Sequence, residues 1–232
     1  MASQNKGKLS GSFEDEYYLL YPSDIENYPL IYEDCKRYTC SYDQYQDCEK
    51  VPDCPAWYMK KEKVENPQSF SMDFATTFTK KEVIYADCFM ALSLSKSSFV
   101  VSPKLYAVLS GLCIEGIQFI PVSLLEDGEV KFTDFYYVHV YNILPVLSVK
   151  NSRYQLFHGK SIQNNLLQIK FVTKKLGAFN LQSRLIFKFP LSRSYFIFHV
   201  SVVEKILSVR PVGFQFIQIS KMDFPNTDGF FI

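Results

Sequence analysis

The residues of this 232-residue chain that could do chemistry are three histidines, six cysteines and 24 carboxylates. His139 and His199 lie in apolar stretches, "YYVHVYN" and "FIFHVSV", and His158 precedes a glycine in "FHGKS". A general base needs a partner within hydrogen-bond reach. No serine, cysteine or carboxylate stands at a motif spacing from any of the three, so they read as structural histidines and no catalytic residue is assigned. The "HGKS" run resembles the end of a phosphate-binding loop, but Tyr154 occupies the place of its first glycine, which removes that reading.

Cys35, Cys40, Cys48 and Cys54 fall within twenty residues, enough thiolates for a tetrahedral zinc site. Their C-x4-C-x7-C-x5-C spacing lacks the C-x2-C knuckle that shapes such sites. No cofactor is therefore expected, with a structural zinc at these four cysteines as the alternative. Cys88 and Cys113 have apolar neighbours and read as small core residues.

The carboxylates are unevenly placed. From Phe13 to Cys54 eleven acids meet three bases, whereas Pro55 to Ile232 carries 13 acids and 20 bases. Eight of the 16 tyrosines lie between Tyr17 and Tyr45. An acidic, tyrosine-rich front thus precedes a mildly basic body. The body's lysines (Lys60, Lys61, Lys63, Lys80, Lys81, Lys174, Lys175) are scattered, and no nucleic-acid partner is expected. The first twelve residues, "MASQNKGKLSGS", lack the apolar core of a secretory signal. No apolar run is long and clean enough to span a bilayer. A cytoplasmic protein with free thiols and no membrane partner is expected.

These residues must be positioned by elements that are mostly strands, given 16% aromatics and only nine glycines. "EYYLLY", "WYMKKEKV", "FYYVHVYNIL", "YQLF", "LLQIKFV" and "RLIFKF" read as strands, "YPLIY" as a helical turn or an edge strand, "NPQSFSMDF" as loop, and Glu82–Ser95 as strand with a helical alternative. Two phrases recur. "VVSPKLYAVLSGLCIEGIQFIPV" and "HVSVVEKILSVRPVGFQFIQI" each give a strand, a short helix N-capped by serine (Ser102 and Ser201), a turn glycine and a strand. Leu105, Val108, Leu109 and Leu112 make one apolar helix stripe, and Val202, Val203, Ile206 and Leu207 the other. Gly111 or Gly116 is expected to end the first helix in the left-handed region. Strand–helix–strand is also the grammar of a parallel crossover.

The chain is therefore expected to be α+β, with strand-rich mixed sheets, short helices and two related strand–helix–strand units. Residues 1–12 read as a flexible terminus. Residues 13–98 form an N-terminal α+β part containing the acidic insert (23–55). Residues 99–220 form the main C-terminal part with both repeats, and 221–232 a tail.

The order "EYYLLYPSD", "IYADCFMA", "VVSPKLYAVL", "GIQFIPV", "YYVHVYNILPVLSVKNSRY", "RLIFKF" and "FIFHVSVVEKILSVRPVGFQFIQI" resembles the immunity proteins of bacterial polymorphic toxin systems, from about Tyr17 to Ile219. Ser148 stands where that pattern would place an aspartate. The resemblance implies a non-enzymatic cytoplasmic protein that binds and neutralises one cognate toxin domain by covering its active site. The toxin would arrive by contact-dependent or type VI-type secretion, or be made by the same cell. An enzyme reversing the toxin's modification and a nucleic-acid-binding module are the alternatives. On that footing the acidic front is the expected toxin-binding surface. Asp24, Glu26, Glu33, Asp34, Asp43, Asp47, Glu49 and Asp53 would steer it into a basic cleft, and Tyr38, Tyr42 and Tyr45 would supply anchor area.

Elemental analysis of the purified chain separates the two readings of the cysteines. Less than stoichiometric zinc is expected; one zinc per chain would establish the thiolate site.

Overall fold

A computed structural model describes residues 12–22, 31–33, 62–67, 69–74, 86–90, 99–126, 129–157, 161–190 and 192–224. Among them are three sheets and four short helices, an α+β arrangement as the sequence indicates. The first sheet has the order β10 (Ile186–Phe189), β11 (Ser192–His199), β1 (Tyr17–Pro22), β12 (Phe214–Gln218). The second has the order β2 (Ile31–Glu33), β3 (Phe70–Phe74), β6 (Ile117–Glu126), β7 (Glu129–Val140), β5 (Phe99–Val101), β4 (Cys88–Met90). A hairpin, β8 (Arg153–Phe157) with β9 (Ser161–Gln168), stands apart. The helices are α1 (Pro103–Ser110), α2 (Thr173–Leu176), α3 (Leu181–Arg184) and α4 (Val200–Ser208).

The two recurring phrases are β5–α1–β6 and β11–α4–β12. In each, the two strands run parallel but do not touch, because one antiparallel strand lies between them: β7 in the first unit and β1 in the second. Each unit is thus a split β-α-β rather than a simple crossover. A shift of 97 residues carries Ser102 onto His199, Cys113 onto Arg210 and Gly116 onto Gly213. The first pair are both helix N-caps; the other four residues all have positive φ. The pairing register follows the same shift. Phe119 opposite Val138 becomes Phe216 opposite Leu20, and Val101 opposite Tyr136 becomes Phe198 opposite Tyr18.

That shift corrects the N-cap expected at Ser201. His199 holds the position, its Nδ1 accepting from the Ser201 backbone N–H at 3.2 Å. The serine register is wrong by two residues because a histidine ring nitrogen can replace a hydroxyl as acceptor. In the first unit Ser102 caps as expected, accepting from Leu105 N at 3.4 Å. Helix α1 ends at Gly111 in ordinary right-handed geometry (φ −75°). The left-handed turn is made by Cys113 (φ 47°) and by Gly116 (φ 74°), which starts the strand rather than ending the helix.

The remaining local readings are resolved as follows. "YPLIY" supplies an edge strand, β2. "NPQSFSMDF" is not all loop: Phe70–Phe74 runs parallel to β6, a non-local pairing that no local pattern announces. Cys88–Met90 is strand, and "LLQIKFV" contributes to a strand that begins earlier, at Ser161. The part of "WYMKKEKV" that is described, from Glu62, is not strand; the rest lies outside the described residues.

The units meet through their helices. Leu105 and Leu109 of α1, and Val202, Val203 and Ile206 of α4, are buried in one cluster with Phe99, Val138, Phe196 and Phe198. Phe99 and Phe196, equivalent under the 97-residue shift, meet edge to face with ring centres 4.9 Å apart, which puts them at the seam. Leu207 is exposed and outside the stripe. A second cluster lies on the other face of the four-stranded sheet, where Tyr17, Leu19, Phe187, Phe189 and Ile197 pack against Val146, Leu166, Ile169, Phe171 and Leu176.

A Cβ at Gly116 would sit 2.2 Å from Asn142 Cβ, and φ there is left-handed. Gly116→Ala is expected to lose about 2–4 kcal/mol in denaturant unfolding. Gly111→Ala, whose Cβ would make ordinary van der Waals contacts at 3.6 Å with Ala107 O and Val108 O and whose φ is right-handed, is expected to stabilise by up to about 1 kcal/mol.

Candidate functional site

Among the described residues, several side chains that could act chemically hold elements together. Asp87, just before β4, joins the two units. Its Oδ1 accepts from Ser102 Oγ at 2.8 Å, and its Oδ2 accepts from Val212 N at 3.0 Å and lies 2.6 Å from Lys104 Nζ. Its backbone N–H donates to Val212 O at 2.9 Å. The cap of α1 and the turn before β12 are thereby tied to one carboxylate.

His199 does have a serine and a carboxylate beside it, contrary to the sequence reading: Ser201 Oγ is 2.8 Å from Nδ1, and Glu16 Oε2 is 3.8 Å from Nε2. Glu16 is distant in sequence, so no motif could show it. The trio is nevertheless built as a cap. With Nε2–H towards Glu16, Nδ1 accepts both from the Ser201 hydroxyl and from the Ser201 backbone N–H, so the ring is held against the first turn of α4. Burial lowers the His199 pKa, opposed by Glu16, with Arg184 acting in the same direction as burial. Tyr17 packs edge to face on His199, its hydroxyl unpaired among the described residues. Burial pushes its pKa up to about 12 despite the nearby Arg184, so it stays protonated.

An open groove of about 1000 Å³ is lined by Lys150, Ser152, Arg153, Tyr154 and Leu167. Its guanidinium is already engaged, donating to Asp223 Oδ1 at 2.6 Å and to Phe224 O at 3.1 Å.

The surface that departs from the duplicated scaffold is the far end of the six-stranded sheet. In the second unit, β12 stops at Gln218 and β1 begins at Tyr17, and 3-10 turns at Ile219–Lys221 and Phe13–Asp15 follow and precede them. In the first unit the equivalent strands run on: β6 to Glu126 and β7 back to Glu129. This extension carries β3 and then β2 on its outer side. Across it, Glu33 lies opposite Met72, Met72 beside Leu124, Asp73 beside Leu125, and Glu126 opposite Glu129. Glu129 and Asp134 are exposed, as is Val130 at 59%. Carboxylate residues thus occupy five positions of the extension, two of them opposite each other in the backbone register.

Glu33 is the one predicted toxin-contact residue whose backbone is placed, and it lies on this end. Asp24, Glu26, Asp34, Tyr38, Tyr42, Asp43, Tyr45, Asp47, Glu49 and Asp53 lie outside the described residues, as do Cys35, Cys40, Cys48 and Cys54. The stretch that holds most of them is anchored at both ends on the same sheet. On one side β2 pairs with β3; on the other, Glu62 and Val64 are bonded to β7 and β6. The His139 Nε2 is 2.9 Å from Glu62 O, and the Gln118 side chain bonds both Val64 N (2.9 Å) and Val64 O (3.0 Å). Sequence reasoning missed Asp73, Glu126, Glu129 and Asp134. The signal for two of them was present: Asp127-Gly128 is a hairpin dipeptide flanked by glutamates.

A family model describing an immunity protein family, Imm11, matches residues 36–221. The chain belongs to the Imm11 immunity protein family. A comparison with curated proteins finds no match. The family match takes in both split β-α-β units except β1, and the acidic extension except β2 with Glu33. For an Imm11 protein the expected partner is a toxin, and the His199 contacts serve as the N-cap of α4.

Ser201→Ala tests that last point. It removes one hydroxyl contact and leaves the cap, so a loss of about 1 kcal/mol or less is expected, with full protection of toxin-expressing cells. Loss of protection by a folded Ser201→Ala protein would instead indicate a nucleophile.

Proposed function

We propose that this Imm11 protein binds one cognate toxin domain in a stoichiometric complex and neutralises it by covering the toxin's active site with the acidic end of the six-stranded sheet. The reading is carried by one observation: of two units built alike, only one is extended, and the extension holds Glu33, Asp73, Glu126, Glu129 and Asp134 and anchors the acidic stretch on both sides. Carboxylates on one extension attract a cationic partner, which raises the association rate. Val130 adds apolar area on the same arm. The complex forms in the compartment where the toxin acts, and the protein turns nothing over.

Co-expression with the toxin encoded beside it is expected to protect cells only when the immunity protein at least matches the toxin in amount. Protection at a small fraction of the toxin level would replace this reading with an enzymatic one. Glu126→Lys, Glu129→Lys and Asp134→Lys together are expected to weaken toxin binding at least tenfold, mainly through a slower on-rate, and to flatten its salt dependence. Unchanged affinity and salt dependence would move the contact surface elsewhere.

A further inference from the structure

We propose that His139 is an acid-sensitive latch holding the strap Glu62–Pro67 on the outer face of the six-stranded sheet, and that its protonation releases the strap and with it the downstream anchor of the acidic stretch. His139 and Gln118 sit directly opposite each other on β7 and β6, so both point to the same face. Ile120, Val122, Leu124, Phe135 and Tyr137 share that face and are buried. The strap is bound there by three polar contacts and one side chain. The His139 ring meets the Glu62 carbonyl, Gln118 binds the Val64 amide and carbonyl, and Val64 is buried at 6% exposure.

The contact to a carbonyl requires the proton on Nε2, so the neutral ring already makes the bond. A second proton, on Nδ1, adds no bond to the strap and puts a cation on a residue only 1% exposed. Among the described residues, the groups that face the ring are these. Lys188 of β10 is itself cationic, Tyr141 contributes a ring 5.8 Å away, and Gln118 is uncharged. Glu62 presents its carbonyl, while its side chain is exposed. Burial lowers the His139 pKa, with the Glu62 carbonyl opposing and Lys188 reinforcing the shift. When the strap lifts, the ring meets water and recovers an ordinary value of 6.5. The closed form binds its proton more weakly than the open one. The latch is therefore fully engaged above pH 6.5 and weakens as pH falls through the closed-state value. This holds whatever the protein binds.

Hydrogen exchange at the Val64 amide of the full chain, corrected for intrinsic rates, reads the strap directly. Between pH 7.5 and 5.0 the opening constant is expected to rise, by the factor that separates the proton affinities of the open and closed states. His139→Gln keeps a donor for the Glu62 carbonyl without a titrating charge, and its opening constant is expected to be flat over the same range. His199→Asn, which retains a good N-cap, is expected to keep the wild-type dependence, so the other buried histidine is not the source. A flat wild-type profile, or a His139→Gln protein as pH-dependent as wild type, overturns the latch. Should His139→Gln fail to fold, NMR titration of the wild-type ring decides. A midpoint below 6.5 supports the proposal, and one at or above 6.5 overturns it.

Discussion

Burial of α1 and α4 against each other, between the two sheets, is the packing on which the rest of the molecule depends. Leu105, Leu109, Val202 and Ile206 are each at most 2% exposed, and full burial of such a side chain contributes about 1.5–3 kcal/mol. Neither helix is long enough to persist alone, so each is held by this contact and by its cap. The caps differ in chemistry, a hydroxyl at Ser102 and an imidazole at His199, yet both stand at the same place in the unit. The left-handed residues, Cys113 and Gly116 or Arg210 and Gly213, then return each chain to its sheet at the angle that keeps the helix in the seam.

Once that seam is set, the central strand of each unit can come from anywhere in the chain. The first unit takes β7, which follows it; the second takes β1, from the other end of the described chain. This is why β1 is buried on both faces, with Leu20 in one core cluster and Tyr17 and Leu19 in the other. It also explains the asymmetry of the two sheets. The second unit is closed off by 3-10 turns, and the first is free to grow outwards into β6, β7, β3 and β2. A rigid duplicated body with a single elaborated end is a sensible platform for a binding surface, because the scaffold residues are committed to packing and the extension is not.

Much of this was legible in the sequence. The recurring "VS…GxQFI" phrases announced two related units, because helix stripes, turn glycines and alternating strands are local patterns. The aromatic composition announced the strands, and the charge asymmetry between Phe13 and Cys54 singled out an acidic segment. Several local readings misled, Cys113 among them, which is exposed rather than in the core; three have a clear physical reason. Serine is the commoner cap, so Ser201 looked better than His199. Phe70–Phe74 is short and flanked by polar residues, and becomes a strand only through its parallel partner. His199 looked isolated because Glu16 lies 183 positions away in the chain.

The sequence by itself determined the likeness to immunity proteins, from the order of motifs along the chain, and the strand-rich α+β class, the duplicated units and the acidity of the front, which rest on composition or on patterns within about twenty residues. Tertiary structure alone decided which strand sits at the centre of each unit, that Asp87 ties one unit to the other, that the carboxylates of β3, β6 and β7 lie on one extension with Glu33, and that a buried histidine holds the strap beyond the acidic stretch. These depend on register between segments far apart in the chain. A shift of one residue in such a pairing would turn each side chain to the opposite face.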